Sequence, residues 1–117
     1  MDPDKLTIAD LIALLKTMGD DQFQMVPRFK NDEFRDLFNI SIEEEIEAIK
    51  KLEEKDLHKG PLEDDNPNRE HPVWIFIKKI WEIDCYIKIK IINHCRITII
   101  ISFHEVDKTK GEKNDEK

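Results

Sequence analysis

The sequence predicts an α+β domain in which two or three amino-terminal helices pack on a three- or four-stranded antiparallel sheet. Three observations carry that prediction. Apolar residues recur at helical spacing only in the first half of the chain. Isoleucine-rich segments alternating with polar residues fill the second half. A length of 117 residues suffices for one hydrophobic core. The domain is expected to span residues 1–110, with 111–117 as a polar, disordered tail.

Leu6, Leu11, Ile12, Leu14, Leu15 and Met18 mark the first helix, and Gly19 offers a left-handed residue to stop it. DDQFQMVP reads as a connector. After Pro27 comes a short amphipathic segment with Phe29, Phe34, Leu37 and Phe38 as its inner face. In SIEEEIEAIKKL, Ser41 and Glu44 form a capping box, acids fill the first turn and lysines the last. Ile42, Ile46, Ile49 and Leu52 are its expected buried stripe. EEKDLHKG reads as a final turn or short helix ended by Gly60-Pro61.

PLEDDNPNREHP has three prolines and no apolar period, and reads as a loop. Its Glu63, Asp64 and Asp65 lack the alternating ligands and central glycine of a calcium loop, and read as solvated. The strands follow: VWIFIKKIW, CYIKIKII and CRITIIISF.

The formal charge is −7, but it is unevenly distributed. Residues 1–71 hold 10 basic against 19 acidic groups, and residues 72–110 hold 7 against 4. A local surplus of cations on the sheet half suits a small phosphate site and excludes a broad DNA-binding surface. The longest uncharged apolar run, Ile97 to Phe103, is too short to span a bilayer, and MDPDKL lacks a signal pattern. A cytoplasmic location without membrane association is expected. Cys85 and Cys95 fall among inward isoleucines without C-x-x-C spacing and are expected to be buried, reduced thiols.

The stretch CYIKIKIINHCRITIIISFHE concentrates the polar chemistry. Tyr86, Lys88 and Lys90 share one parity on the outgoing strand; Arg96, Thr98, Ser102 and His104 share it on the return. For all of them to occupy one face, paired numbers must have an even sum. That demands an odd-length loop, such as three residues with Asn93 or His94 left-handed. Tyr86 is then opposite or diagonal to Ser102 and His104, with Lys88 one step along.

A Lys/Tyr/His cluster without a central carboxylate suits an anionic substrate that is bound and then reacted. In RNA cleavage the 2′-hydroxyl attacks the adjacent phosphorus. The reaction needs a base, an acid for the leaving 5′-oxygen and positive charge over the oxyanions. His104 can serve as acid or base, Tyr86 as donor and Lys88 as phosphate ligand. Trp74, Phe76 and Trp81 can stack bases but read better as core. The sequence contains no Gly-rich phosphate loop, no Ser/His/Asp set and no metal-ligand spacing, so neither metal nor cofactor is expected.

KDLHKGP, PVWIFIKKIW, CYIKIKI and ITIIISFHE, in that order after an amphipathic helix, resemble the MqsR-type toxins (motility quorum-sensing regulator family) of the RelE superfamily. The resemblance covers roughly residues 40–106, and Y-I-K-I-K and S-F-H-E are its most specific parts. It implies a RelE-like fold and a toxin of a type II toxin–antitoxin system that cuts mRNA as an endoribonuclease. It also implies a cognate antitoxin with a zinc-binding part. By position it assigns catalysis to Lys59, Tyr86, Lys88 and His104. Ile75 stands where some members carry a polar residue after the strand Trp, a role that Lys78 or Lys79 can supply. Lys90 and Arg96 complete the expected RNA-binding set. The alternatives are a non-catalytic module binding RNA or protein through the same sheet face, and a domain that uses its sheet edge for oligomerisation.

Overall fold

The computed structural model describes residues 1–64 and 70–107. The expected tail at 111–117 and Asp65 of the acidic loop lie outside them. The described residues form three α-helices, α1 (Ile8–Thr17), α2 (Phe29–Phe38) and α3 (Ile42–Lys50), and five strands. The strands are β1 (Phe23–Met25), β2 (Leu57–Leu62), β3 (Val73–Ile80), β4 (Ile83–Ile92) and β5 (Ile97–Glu105). The sheet order is β1-β5-β4-β3-β2. The fold is therefore α+β as expected, but the sheet has five strands and is mixed, because β1 pairs with β5 in parallel.

Local chemistry accounts for the helices. Thr7 caps α1 reciprocally with Asp10, and Ser41 caps α3 with Glu44, so orphan amide donors at both starts are satisfied. α1 ends at Met18 in extended backbone, and Gly19 has φ −81°, so it is not the left-handed stop its position suggested. The left-handed stop belongs to Asn39, which ends α2 with φ 56°. α2 buries only Phe34 and Asn31; Phe29 and Leu37 are exposed, contrary to the expected inner face. Ile42 is likewise exposed, and the buried residues of α3 are Glu45, Ile46, Ala48 and Ile49.

The inner sheet face carries Trp74 and Phe76 of β3, Ile87 and Ile89 of β4, and Ile100 and Phe103 of β5. It packs on Leu11, Leu15, Phe34, Ile46 and Ile49 from the helices. Trp74 and Phe76 are therefore core residues. Both cysteines are free and buried, and desolvation pushes the Cys85 thiol up to about 12.

β1 and β2 carry no alternating pattern, and the sequence predicts a connector at the first and a final turn or short helix at the second. Each is a strand because a neighbour supplies the ladder. Beyond β1, the edge of β5 is completed by one side chain. Asn31 donates to the Ile101 carbonyl at 3.0 Å and accepts from the Phe103 amide at 2.9 Å, as another strand would.

The β4–β5 hairpin solves its parity problem differently from the expected odd loop. Four residues, 93–96, form the turn, with Asn93, His94 and Cys95 all at positive φ. Near the turn Ile91 pairs Thr98 and Ile89 pairs Ile100, so Thr98 points into the core and not onto the polar face. A bulge then inserts Ile101, and beyond it Lys88 pairs Ser102 and Tyr86 pairs His104. The bulge restores the parity that the turn does not supply.

Candidate functional site

Tyr86 and His104 are direct cross-strand partners on the outer face, their rings stacked 5.3 Å apart at 15°. His104 Nδ1 lies 2.9 Å from the Glu105 carbonyl oxygen. A carbonyl only accepts, so Nδ1 carries the hydrogen and Nε2 keeps its lone pair. Burial holds the imidazole below its ordinary pKa. The cations Lys30 and Arg28 push it the same way, against the Glu105 carbonyl and Asp107. At neutral pH the ring is uncharged, which suits a base better than an acid.

One rung along, Ser102 is buried and faces Lys88 across the ladder. Its hydroxyl accepts from Arg28 Nη1 at 3.3 Å. Lys88 is half-buried and forms no ion pair with any described residue. Tyr86, Lys88, Ser102, His104 and Arg28 are thus neighbours on one stretch of the sheet, which combines two cations with a neutral imidazole.

The rung continues through Ile75 to Lys59 on β2. Three strand spacings separate β2 from β5, so the Lys59 backbone lies about 14 Å from that of Ser102. Lys59 shares the rung with the cluster but stands at its far end.

The expected RNA-binding residues are dispersed. Lys78 lies on the helix side of the sheet, where its ammonium donates to the Lys51 carbonyl at 3.1 Å and lies 3.4 Å from the Asp56 carboxylate. Lys90 is on the outer face but buried in an ion pair with Asp64. That pair also corrects the reading of Asp64 as solvated. Lys79 is exposed beside the β3–β4 turn, paired along the backbone with Asp84. Arg96 is exposed in the β4–β5 turn, about 20 Å along the strands from His104.

Arg28 was missed. It is adjacent to His104 and Ser102 because the parallel β1–β5 pairing brings residues 23–28 alongside 98–102. No local pattern in VPRF announces that pairing.

Among the described residues no group of three or more His, Cys, Asp or Glu comes together that could hold a metal ion, and no helix is long and apolar enough to cross a membrane. No protein-family model matches the chain, and no curated protein matches it.

Proposed function

We propose that this chain is a metal-independent endoribonuclease with a RelE-like fold, the toxin of an MqsR-type toxin–antitoxin pair. The observation that carries the reading is the stacked Tyr86–His104 pair with Lys88 and the Arg28–Ser102 contact beside it. In this mechanism His104 Nε2 takes the proton of a 2′-hydroxyl. The 2′-oxygen forms a bond to phosphorus as the bond to the 5′-oxygen breaks. Lys88 and Arg28 hold the non-bridging oxygens, and Tyr86 donates the proton received by the leaving 5′-oxygen. The products are a 2′,3′-cyclic phosphate and a 5′-hydroxyl. Lys59, at the end of the rung, binds a neighbouring phosphate.

The test uses a defined single-stranded RNA in EDTA. Cleavage is expected to persist and to leave the cyclic phosphate, and a 2′-deoxy substitution at the scissile nucleotide is expected to abolish it without loss of binding. His104→Ala is expected to cost about 100-fold or more in rate. Cutting of the deoxy substrate, or full activity of His104→Ala, would overturn the mechanism. The acidity of the chain favours one other reading, a non-catalytic module on the same face, and RNA bound but never cut would select it. Co-expression with the neighbouring gene tests the antitoxin: relief of growth arrest and a co-purifying complex are expected.

A further inference from the structure

We propose that the aromatic ridge running from α2 to the β3–β4 turn docks a cationic amphipathic segment of a partner protein. Leu37 is 72% exposed, Trp81 40% and Phe38 36%, although each belongs to an ordered helix or turn. The rings of Phe38 and Trp81 rest on the same core layer, the buried Phe34 and Phe103. Ring centroids link Phe38 to Phe34 at 5.1 Å, Phe34 to Phe103 at 5.9 Å and Phe103 to Trp81 at 6.1 Å.

A groove of about 330 Å³ flanks the ridge at the α2 end, floored by Phe34, Leu37, Phe38 and Val106. Another of about 310 Å³ lies beside Trp81, against Ile80 and Ala48. α2 buries only Asn31 and Phe34, so Leu37 and part of Phe38 are left facing solvent.

Charge selects the occupant. Glu33, Glu105 and Asp107 border the first groove and Glu43, Glu44 and Glu47 the second, against Lys30 and Lys51. An anionic lipid surface is repelled by such a rim. A second copy joined about a two-fold axis would set the same carboxylates against one another. A helix with apolar residues at i, i+3, i+4 and i+7, flanked by Lys or Arg, satisfies both the ridge and the rim. His104 forms part of the wall of the first groove, so such an occupant covers one side of the imidazole. That inhibitory consequence rests on the proposed cleavage; the docking does not.

The test titrates the intact chain with three labelled synthetic peptides: a Lys-rich amphipathic helix, its Glu-for-Lys counterpart, and the Lys-rich composition in scrambled order. Anisotropy reads binding, and Trp81 emission reads its place, since Trp74 is buried. Only the first peptide is expected to bind tightly, with a blue shift and with weakening in salt. Leu37→Asp, an exposed substitution, is expected to weaken it about tenfold or more, the scale of an interface anchor. Glu105→Lys is expected to weaken it with the fold intact by circular dichroism, and serves if Leu37→Asp fails to fold. Equal binding of the three peptides, or indifference to both substitutions, overturns the proposal. So does a dimer in sedimentation that Leu37→Asp dissolves, since the ridge would then belong to a second copy. A chain that binds the peptide but never cuts RNA removes the cleavage reading alone; one that cuts RNA but ignores the peptide removes the docking alone.

Discussion

The side chain of Glu45 is fully buried within α3, with Arg35 Nη1 3.3 Å from Oε1 and no hydrogen-bond partner for Oε2 among the described residues. Desolvation outweighs the pull of Arg35 and raises its pKa from 4.5 to about 7. A carboxyl whose pKa is raised by folding binds its proton more tightly in the folded state. Its contribution is therefore complete below 4.5 and lost as pH rises through about 7. Glu45→Gln removes the titrating group but keeps the shape. Thermal melts of the two proteins are expected to converge at the acid end of this window and to separate above it, with the variant more stable. Parallel curves would show that folding leaves the Glu45 carboxyl unshifted. His104 makes the matching prediction for rate. A neutral base with a depressed pKa keeps its lone pair down into mildly acidic solution, so the acid limb of the cleavage profile is expected to have its midpoint below 6.5. A limb above 6.5 would remove His104 as the base.

At the scale of elements, β2 turns on one residue. Gly60 has φ +142°, and a Cβ there would meet the Trp74 Cα at 3.1 Å and the Val73 carbonyl oxygen at 3.2 Å, both backbone. Gly60→Ala is expected to cost about 1–3 kcal/mol in urea denaturation, the scale of a side chain forced into such a conformation. Gly19, at φ −81° and close only to the side chains of Asp21 and Gln22, is the control, with an expected change within about 0.5 kcal/mol. Equal effects at the two glycines would mean that β2 does not need the close approach. These elements also show what the sequence could convey. Helical apolar spacing, the Ser41–Glu44 capping box and isoleucine-rich runs are local signals, and α1, α3, β3, β4 and β5 are legible from them. β2 and β1 were not, since HKGPL and FQM become strands only through their neighbours. The bulge at Ile101 was hidden for another reason. In ITIII, isoleucine occupies both faces and erases the period of two that would have marked the slip. The polar face of Tyr86, Lys88, Ser102 and His104 was therefore readable while Thr98 was misplaced on it. Arg28 depended on a parallel pairing that no periodicity encodes.

At the scale of the whole molecule, the charge of −7 must be reconciled with the proposed RNA substrate. The cations are gathered locally and not spread over the surface. Arg28, Lys30 and Lys88 lie near His104, whose other side faces Glu33, Glu105 and Asp107 across a groove, and the carboxylates of α3 lie beside Trp81. Lys90 and Lys78 add little to the cationic side, because Asp64 and Asp56 face them. Arg28, Lys30 and Lys88 are the cations grouped near His104. Each phosphate contact on a single strand contributes about −0.7 to the slope of log affinity against log salt, so three contacts give an expected slope of about −2. Titration of fluorescent single-stranded RNA across a salt series measures it. Lys88→Ala is expected to make the slope shallower by nearly one contact, whereas Lys90→Met, which alters a pair already closed on itself, is expected to leave it unchanged. A wild-type slope steeper than about −5 would require eight or more phosphate contacts. Cations now paired with carboxylates, Lys90 first among them, would then have to release those partners as RNA binds, and a site of three cations would be ruled out.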